Sequence, residues 1–280
     1  MRLYWRYFLS YWHSISWNYE NIKNKSMLIF LFGLFITFGF SSECIKTGEA
    51  PFSGTIFIDP NIITSEDPTT FEKLYYNGTD ARIMYDRRVE DWVEIKPFLF
   101  PARYSDGLEI EIQVNPEFGN HKDAEIQATK YAIVIGRLTT ELRKDVETVW
   151  IHKGLKPFGG GNNNLLIHTD WSAEHYEEQG ILEETLVHEA SHTSLDSYYS
   201  TSPDWINAQE RDCNFISTYA EENPEREDIA ESYLPYMAIR YRPERISKSL
   251  KKKIEQAIPN RIRFFDEKNF NMYPMELENE

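Results

Sequence analysis

In the stretch EETLVHEASHTSLDSYY, residues 183–199, two histidines stand four apart with a glutamate directly after the first. On a helix, positions i and i+4 share a face one turn apart. The imidazoles of His188 and His192 can therefore both reach one zinc ion, at about 2.0–2.1 Å. Glu189 projects beside the same ion, where its carboxylate can take a proton from a water that the ion has acidified. Leu182, Leu186, Val187 and Ala190 surround the motif, so the helix reads as buried rather than solvated. Two bare imidazoles and a carboxylate buried together carry a large desolvation cost, which a bound cation removes. Histidine is rare, 7 residues of 280, so this spacing is informative.

A catalytic zinc takes a third protein ligand and keeps one position open. Asp196, four residues past His192, lies about 6 Å further along a straight helix and about 12 Å beyond His188. That is too far to ligate, but well placed to accept a ring N–H. His168, on a strand-like stretch upstream, is another candidate. The best candidates lie in NPEREDIAES, residues 223–232, where Glu227 and Glu231 are again four apart on one helix face. One can ligate while the other orients a histidine, with Asp228 pointing aside. The plainer alternative for these residues is a solvated acidic face.

HEASHTSLD resembles the HExxHxxxD pattern of the thermolysin-like gluzincins and of the anthrax lethal factor group. STYAEENPEREDIAES is similar to the lethal factor arrangement of a tyrosine, a short gap, and two glutamates four apart on the next helix. The resemblance covers about residues 180–235. It implies that His188, His192 and Glu227 are ligands of one Zn2+, that Glu189 is the general base, and that Glu231 is a supporting carboxylate. It also implies that the phenol of Tyr219 stabilises the oxyanion. Tyr219 stands one residue further from Glu227 than that pattern has it, and Tyr198, Tyr199 and Tyr233 are alternatives for the role. The implied activity is that of a zinc metallopeptidase acting on a peptide or protein. The rival reading is a secreted zinc-binding module without hydrolytic activity on a zincin scaffold. No metzincin pattern follows His192.

The elements that must position these residues are legible in outline. GTIFIDP (54–60) and LEIEIQVNP (108–116) alternate apolar and polar residues between Gly and Pro, as strands do. The intervening YDRRVEDWVEIKPFLF reads as irregular and charged. Residues 122–144 carry Ile126, Tyr131, Ile133, Ile135, Leu138 and Leu142 at helical spacing, which predicts one long helix. VETVWIHKG reads as a strand, and FGGGNNNLLIHTD as a glycine-rich turn entering a strand at Leu165–His168. Three helices follow: the motif helix, SPDWINAQERDCNFISTYA capped by Ser202 or Asp204, and a helix from Asn223 with Pro224 at its first position. The expected fold class is α+β. The resemblance implies a zincin plan, in which residues 122–144 back a small mixed sheet and residues 164–169 form the edge strand beside the cleft. Gly159, Gly160 and Gly161 would turn the chain closely there. Residues 42–245 form the expected metallopeptidase domain, and residues 246–280 a charged helix and acidic tail.

The net charge of −15 argues against a nucleic-acid partner, which needs a basic face. A hydrophobic fraction of 41% suffices for a core. MLIFLFGLFITFGF, residues 27–40, follows Lys23 and Lys25 and is shorter than the roughly 20 residues of a membrane span. It reads as a signal peptide cleaved after Ser41, with Gly39 and Ser41 at the positions a signal peptidase inspects. Glu43 before Cys44 does not suit a lipoprotein. Secretion without stable membrane insertion is expected, an uncleaved anchor being the alternative. Residues 1–26 form an aromatic, basic extension, and translation could begin at Met27. Cys44 and Cys213 can pair in an oxidising compartment or stand as two separate thiols. Asn77 is a glycosylation acceptor by pattern.

Overall fold

The apolar alternation of LEIEIQV and the apolar runs TVWIH and NLLIH build the centre of a sheet. The computed structural model of the chain describes residues 48–58 and 62–276. The leader-like run, Cys44 and the end of the acidic tail lie outside these residues. The strands are β1 (Phe71–Leu74), β2 (Arg82–Asp86), β3 (Asp91–Ile95), β4 (Phe98–Tyr104) and β5 (Glu109–Val114). Helices α1 (His121–Ile135) and α2 (Thr140–Arg143) precede β6 (Thr148–His152), β7 (Gly159–Gly161) and β8 (Asn164–His168). The helical half holds α3 (Thr169–Trp171), α4 (Leu182–Ser194), α5 (Asp196–Tyr199), α6 (Pro203–Asp212), α7 (Thr218–Glu222), α8 (Asp228–Tyr241), α9 (Lys248–Ala257) and α10 (Pro259–Asp266).

The fold is α+β, with a mixed six-stranded sheet in the order β1-β4-β5-β6-β8-β7. β5, β6 and β8 run parallel, while β7 returns antiparallel to β8. Alternate residues face opposite sides. Val149, Ile151, Leu165 and Ile167 join the main core with the helices. Trp150 and Leu166 face outward and pack with Met84 of the β2–β3 hairpin.

Several expectations are corrected. The irregular region YDRRVEDWVEIKPFLF is a five-pair hairpin followed by β4. Glu90, Asp91, Glu94 and Lys96 are exposed, Asp86 is buried beside Arg88, and Met84 just before them is buried, so the charge content masked the alternation. GTIFIDP forms no strand over its described residues 54–58. The Ile56 and Ile58 amides instead donate to the carboxylates of Glu231 and Glu184, at 3.0 and 3.2 Å.

The long helix over 122–144 is broken at Gly136, where a Cβ would lie 2.3 Å from Thr69 Oγ1 and 2.8 Å from Phe71 N. The chain crossing there takes the Gly136 carbonyl with the Thr70 amide and hydroxyl, and Thr139 caps α2. The second post-motif helix divides at Cys213, whose φ of 60° is left-handed. The third begins at Asp228, with Glu227 as N-cap, because Asn223 to Glu227 form turns.

The edge strand is β7, not β8, since the glycine run pairs back on β8. Residues 246–280, read as one charged helix and a tail, form α9 and α10 over their described part and bury Ile254, Ile262, Phe264, Phe265, Met272 and Met275. Among the described residues no helix is long and apolar enough to cross a membrane.

Candidate metal centre and cleft

Helix α4 begins after Gly180, whose φ is 69°. Glu183 and Glu184 in its first turn suit the positive helix end. Its Leu186, Val187 and Ala190 are buried in the core, which fixes the opposite face toward β7 and α8. The approach to β7 is as close as a backbone allows. A Cβ on Gly160 would fall 1.8 Å from the carbonyl oxygen of Glu189. Thr193 Oγ1 accepts from the Gly161 amide at 2.8 Å and donates to Asn164 O at 2.9 Å, locking helix to strands.

Helix α8 brings the third carboxylate. Its first turn is clamped by a fully buried cluster. Arg261 Nε donates to Asp228 Oδ2 at 2.7 Å and its Nη1 to Asp212 Oδ2 at 3.0 Å, while Gln209 donates to Asp228. Asp228 thus points aside to anchor the helix, leaving Glu227 to face α4.

His188 Nε2, His192 Nε2 and Glu227 Oε2 converge at separations of 3.1, 3.1 and 3.4 Å. The three side chains are 12%, 11% and 2% exposed. A tetrahedron with centre-to-ligand distances of about 2.0–2.1 Å has edges of about 3.3 Å, so the triangle fits one metal ion of zinc's size. The other ring nitrogens face carboxylates. His192 Nδ1 is 2.8 Å from Asp196 Oδ2, and His188 Nδ1 is 3.3 Å from Glu231 Oε1. With protons held on those nitrogens, three lone-pair atoms point at one spot, an arrangement that a buried cation satisfies. This group of His188, His192 and Glu227 can bind a metal ion.

The field at this point favours positive charge. Burial works to lower the His188 pKa, but Glu227, Glu231 and Glu189 outweigh it and hold it at about 10. His192 is held at about 9, again against burial, by Asp196 and Glu227. Burial opposes ionisation of Glu227, yet the two histidines keep its carboxyl well below the usual carboxylate range. Burial raises the pKa of Asp196.

Glu189 and Tyr219 line the same cleft, about 430 Å³ in volume. Tyr219 Oη donates to Glu227 Oε1 at 3.0 Å. Glu231 also accepts from Ser217 Oγ and from the Ile56 amide, so one buried carboxylate ties the segment at 51–58 to His188. Other candidates lie elsewhere. His168 is stacked on His152 at 5.5 Å across β6 and β8. Tyr198 donates to Asp145, Tyr199 packs on Phe264, and Tyr233 is buried against Phe265.

Thr55, Phe57, Arg87, Tyr176 and Arg226 also line the cleft and had no signal in the sequence beyond lying near it or in unpatterned stretches. Cys213 is disulfide-bonded, and Cys44, the other cysteine of the chain, lies outside the described residues. No family model, no curated protein and no solved structure matches this chain.

Proposed function

We propose that the chain is a secreted zinc metallopeptidase of the gluzincin type. The observation that carries this reading is the convergence of His188, His192 and Glu227 at 3.1–3.4 Å, with Glu189 beside them in an open cleft. Two imidazoles and one carboxylate at tetrahedral spacing form a donor set suited to zinc. When bound, zinc supplies a Lewis acid that acidifies a water and polarises a carbonyl.

The chain's own residues supply the rest. Glu189 holds no ligand position, so its carboxylate is available to take the proton of the attacking water and return it to the leaving amine. The Tyr219 phenol turns from Glu227 to donate to the developing oxyanion. Asp196 holds the His192 ring by a hydrogen bond at Nδ1, and Glu231 faces His188 Nδ1 at ion-pair distance, which keeps the Nε2 lone pairs aimed at the metal. Strand β7, at the end of the sheet and against α4, offers an edge on which an extended substrate can lie. A sheet with a helix behind it and the motif helix against its edge strand accords with the zincin plan.

Metal analysis of the purified chain, with casein hydrolysis measured with and without a chelator, tests the reading. About one zinc per chain and chelator-sensitive cleavage are expected. Zinc without hydrolysis would leave the binding-module alternative, and no zinc at all would overturn both. Export rests on the apolar run after Lys25; N-terminal sequencing should find a start near residue 42, and a mature chain retaining residues 27–40 would favour an anchor.

A further inference from the structure

A second cavity, about 220 Å³ in volume, adjoins the cleft. Its walls are Tyr85 and Trp92 of the hairpin with Trp150 and Leu166 of the sheet. Trp150 and Leu166 face outward, away from α4. The cavity is therefore on the outer face of the sheet, while His188 and Glu189 are on the inner side. Both cavities are lined by Arg87 and by Gly159, Gly160 and Gly161. The strand between them carries no side chain, so only the backbone of β7 stands between one and the other. Arg87 Nη1 donates to the carbonyls of Pro157 and Phe158, which pins the hairpin's end to the start of β7.

The aromatic lining is arranged rather than scattered. Trp92 stands edge-on to Trp150 at 5.5 Å and to Tyr85 at 5.6 Å. Trp92 is nevertheless 52% exposed, so the cluster is left open on one side. A space of roughly 150 Å³ suffices for a benzene ring, and aromatic walls favour a ring through edge-to-face contact. An extended peptide on a sheet edge points alternate side chains to opposite faces. A peptide lying along β7 would thus present one side chain to the inner cleft and the next to the outer cavity.

We infer that the Tyr85–Trp92–Trp150 cavity is a specificity subsite that takes an aromatic side chain of the substrate. That side chain is one residue out of phase with those facing His188 and Glu189. The inference rests on the peptidase reading.

Two measurements on the full mature chain separate the two. In the first, Glu189→Gln protein is titrated with a degenerate peptide pool and with paired peptides that differ only by Phe or Ala, read by tryptophan fluorescence and calorimetry. Phe peptides should bind about 10-fold or more tightly than their Ala partners, and Trp92→Ala in the same background should abolish the difference. In the second, wild type and Trp92→Ala cleave the same pool, with products read by mass spectrometry. Wild type should enrich an aromatic residue at one fixed distance from the cut, and Trp92→Ala should lose the enrichment. Aromatic-selective binding without cleavage would keep the subsite and sink the peptidase reading. Cleavage with no aromatic preference, or a preference unchanged in Trp92→Ala, would overturn the subsite.

Discussion

Glu189 lines the cleft from the helix that carries both histidines and is not one of the three converging donors. Glu189→Gln should therefore retain zinc while hydrolysis falls at least about 10²-fold, as loss of a general base does. Metal content and turnover measured on one preparation decide it; near-wild-type turnover would place the base elsewhere. The ligand assignment is tested by comparing carboxylates. Glu227→Ala should weaken zinc binding by orders of magnitude. Asp196→Ala and Glu231→Ala, which loosen the ring partners 2.8 and 3.3 Å away, should cost about 10–100-fold. A chelator competition series ranks the three, and a site emptied by Asp196→Ala but filled in Glu227→Ala would reverse the assignment. His188, Glu189 and His192 were legible because one helix turn sets their spacing. The 1.5 Å rise likewise told against Asp196 as a ligand. Arg87 and Phe57 were not legible, since nothing local marks a residue that reaches the cleft from a distant turn.

At the scale of elements, the contact between β7 and α4 sets the distance from the edge strand to His188, His192 and Glu227. Gly160→Ala would place a methyl 1.8 Å from a backbone oxygen that no rotamer can move. The strand must lift, so this change should lower stability by about 1–3 kcal/mol, as overpacking does, and reduce turnover more than metal affinity. Urea unfolding and kcat together check this; unchanged kcat would mean that the edge strand does not position substrate. The clamp on α8 gives a second test. Asp228→Ala leaves the buried Arg261 with one carboxylate fewer, at a cost of about 3–5 kcal/mol. Glu227 is the next residue, so zinc affinity should fall along with stability. Sequence periodicity located α1, α4, β5, β6 and β8, but the break at Gly136 came from a chain crossing nearby and that at Cys213 from a left-handed residue, neither of which periodicity records.

For the whole molecule, acid sensitivity is written into the sheet. Burial pulls the pKa of His152 and of His168 down to about 4, and each is fully buried. The unfolded chain, with histidines near 6.5, binds more protons between those values. The contribution of these two histidines is therefore complete above about pH 6.5 and falls as pH drops toward 4, by on the order of 2–3 kcal/mol per histidine. His168 has no hydrogen-bond partner on either ring nitrogen among the described residues. His168→Leu should thus hold its stability at pH 7 within about 1.5 kcal/mol and flatten the acid loss. Urea midpoints at pH 7 and pH 4.5 for both proteins test this, and parallel slopes would remove the pair as the cause.

The sequence by itself determined the α+β class, the helix that carries His188, Glu189 and His192, and the pairing of Glu227 with Glu231. Each of these depends on contacts within a turn or a strand, where rise and alternation are set by the backbone. Only the tertiary structure decided that the charged stretch around Tyr85 belongs to a hairpin packed on the sheet through Met84 and Trp150, and that Ile56 and Ile58 give their amides to carboxylates instead of a neighbouring strand. It alone decided that the glycine run is the edge strand, with Gly160, which has no Cβ, lying against the backbone of α4. It also decided that Glu227, 35 residues beyond His192, arrives within 3.1 Å of it, held there by a buried arginine 33 residues further on than Asp228. Such meetings depend on how faces pack across the core, and no spacing along the chain encodes them.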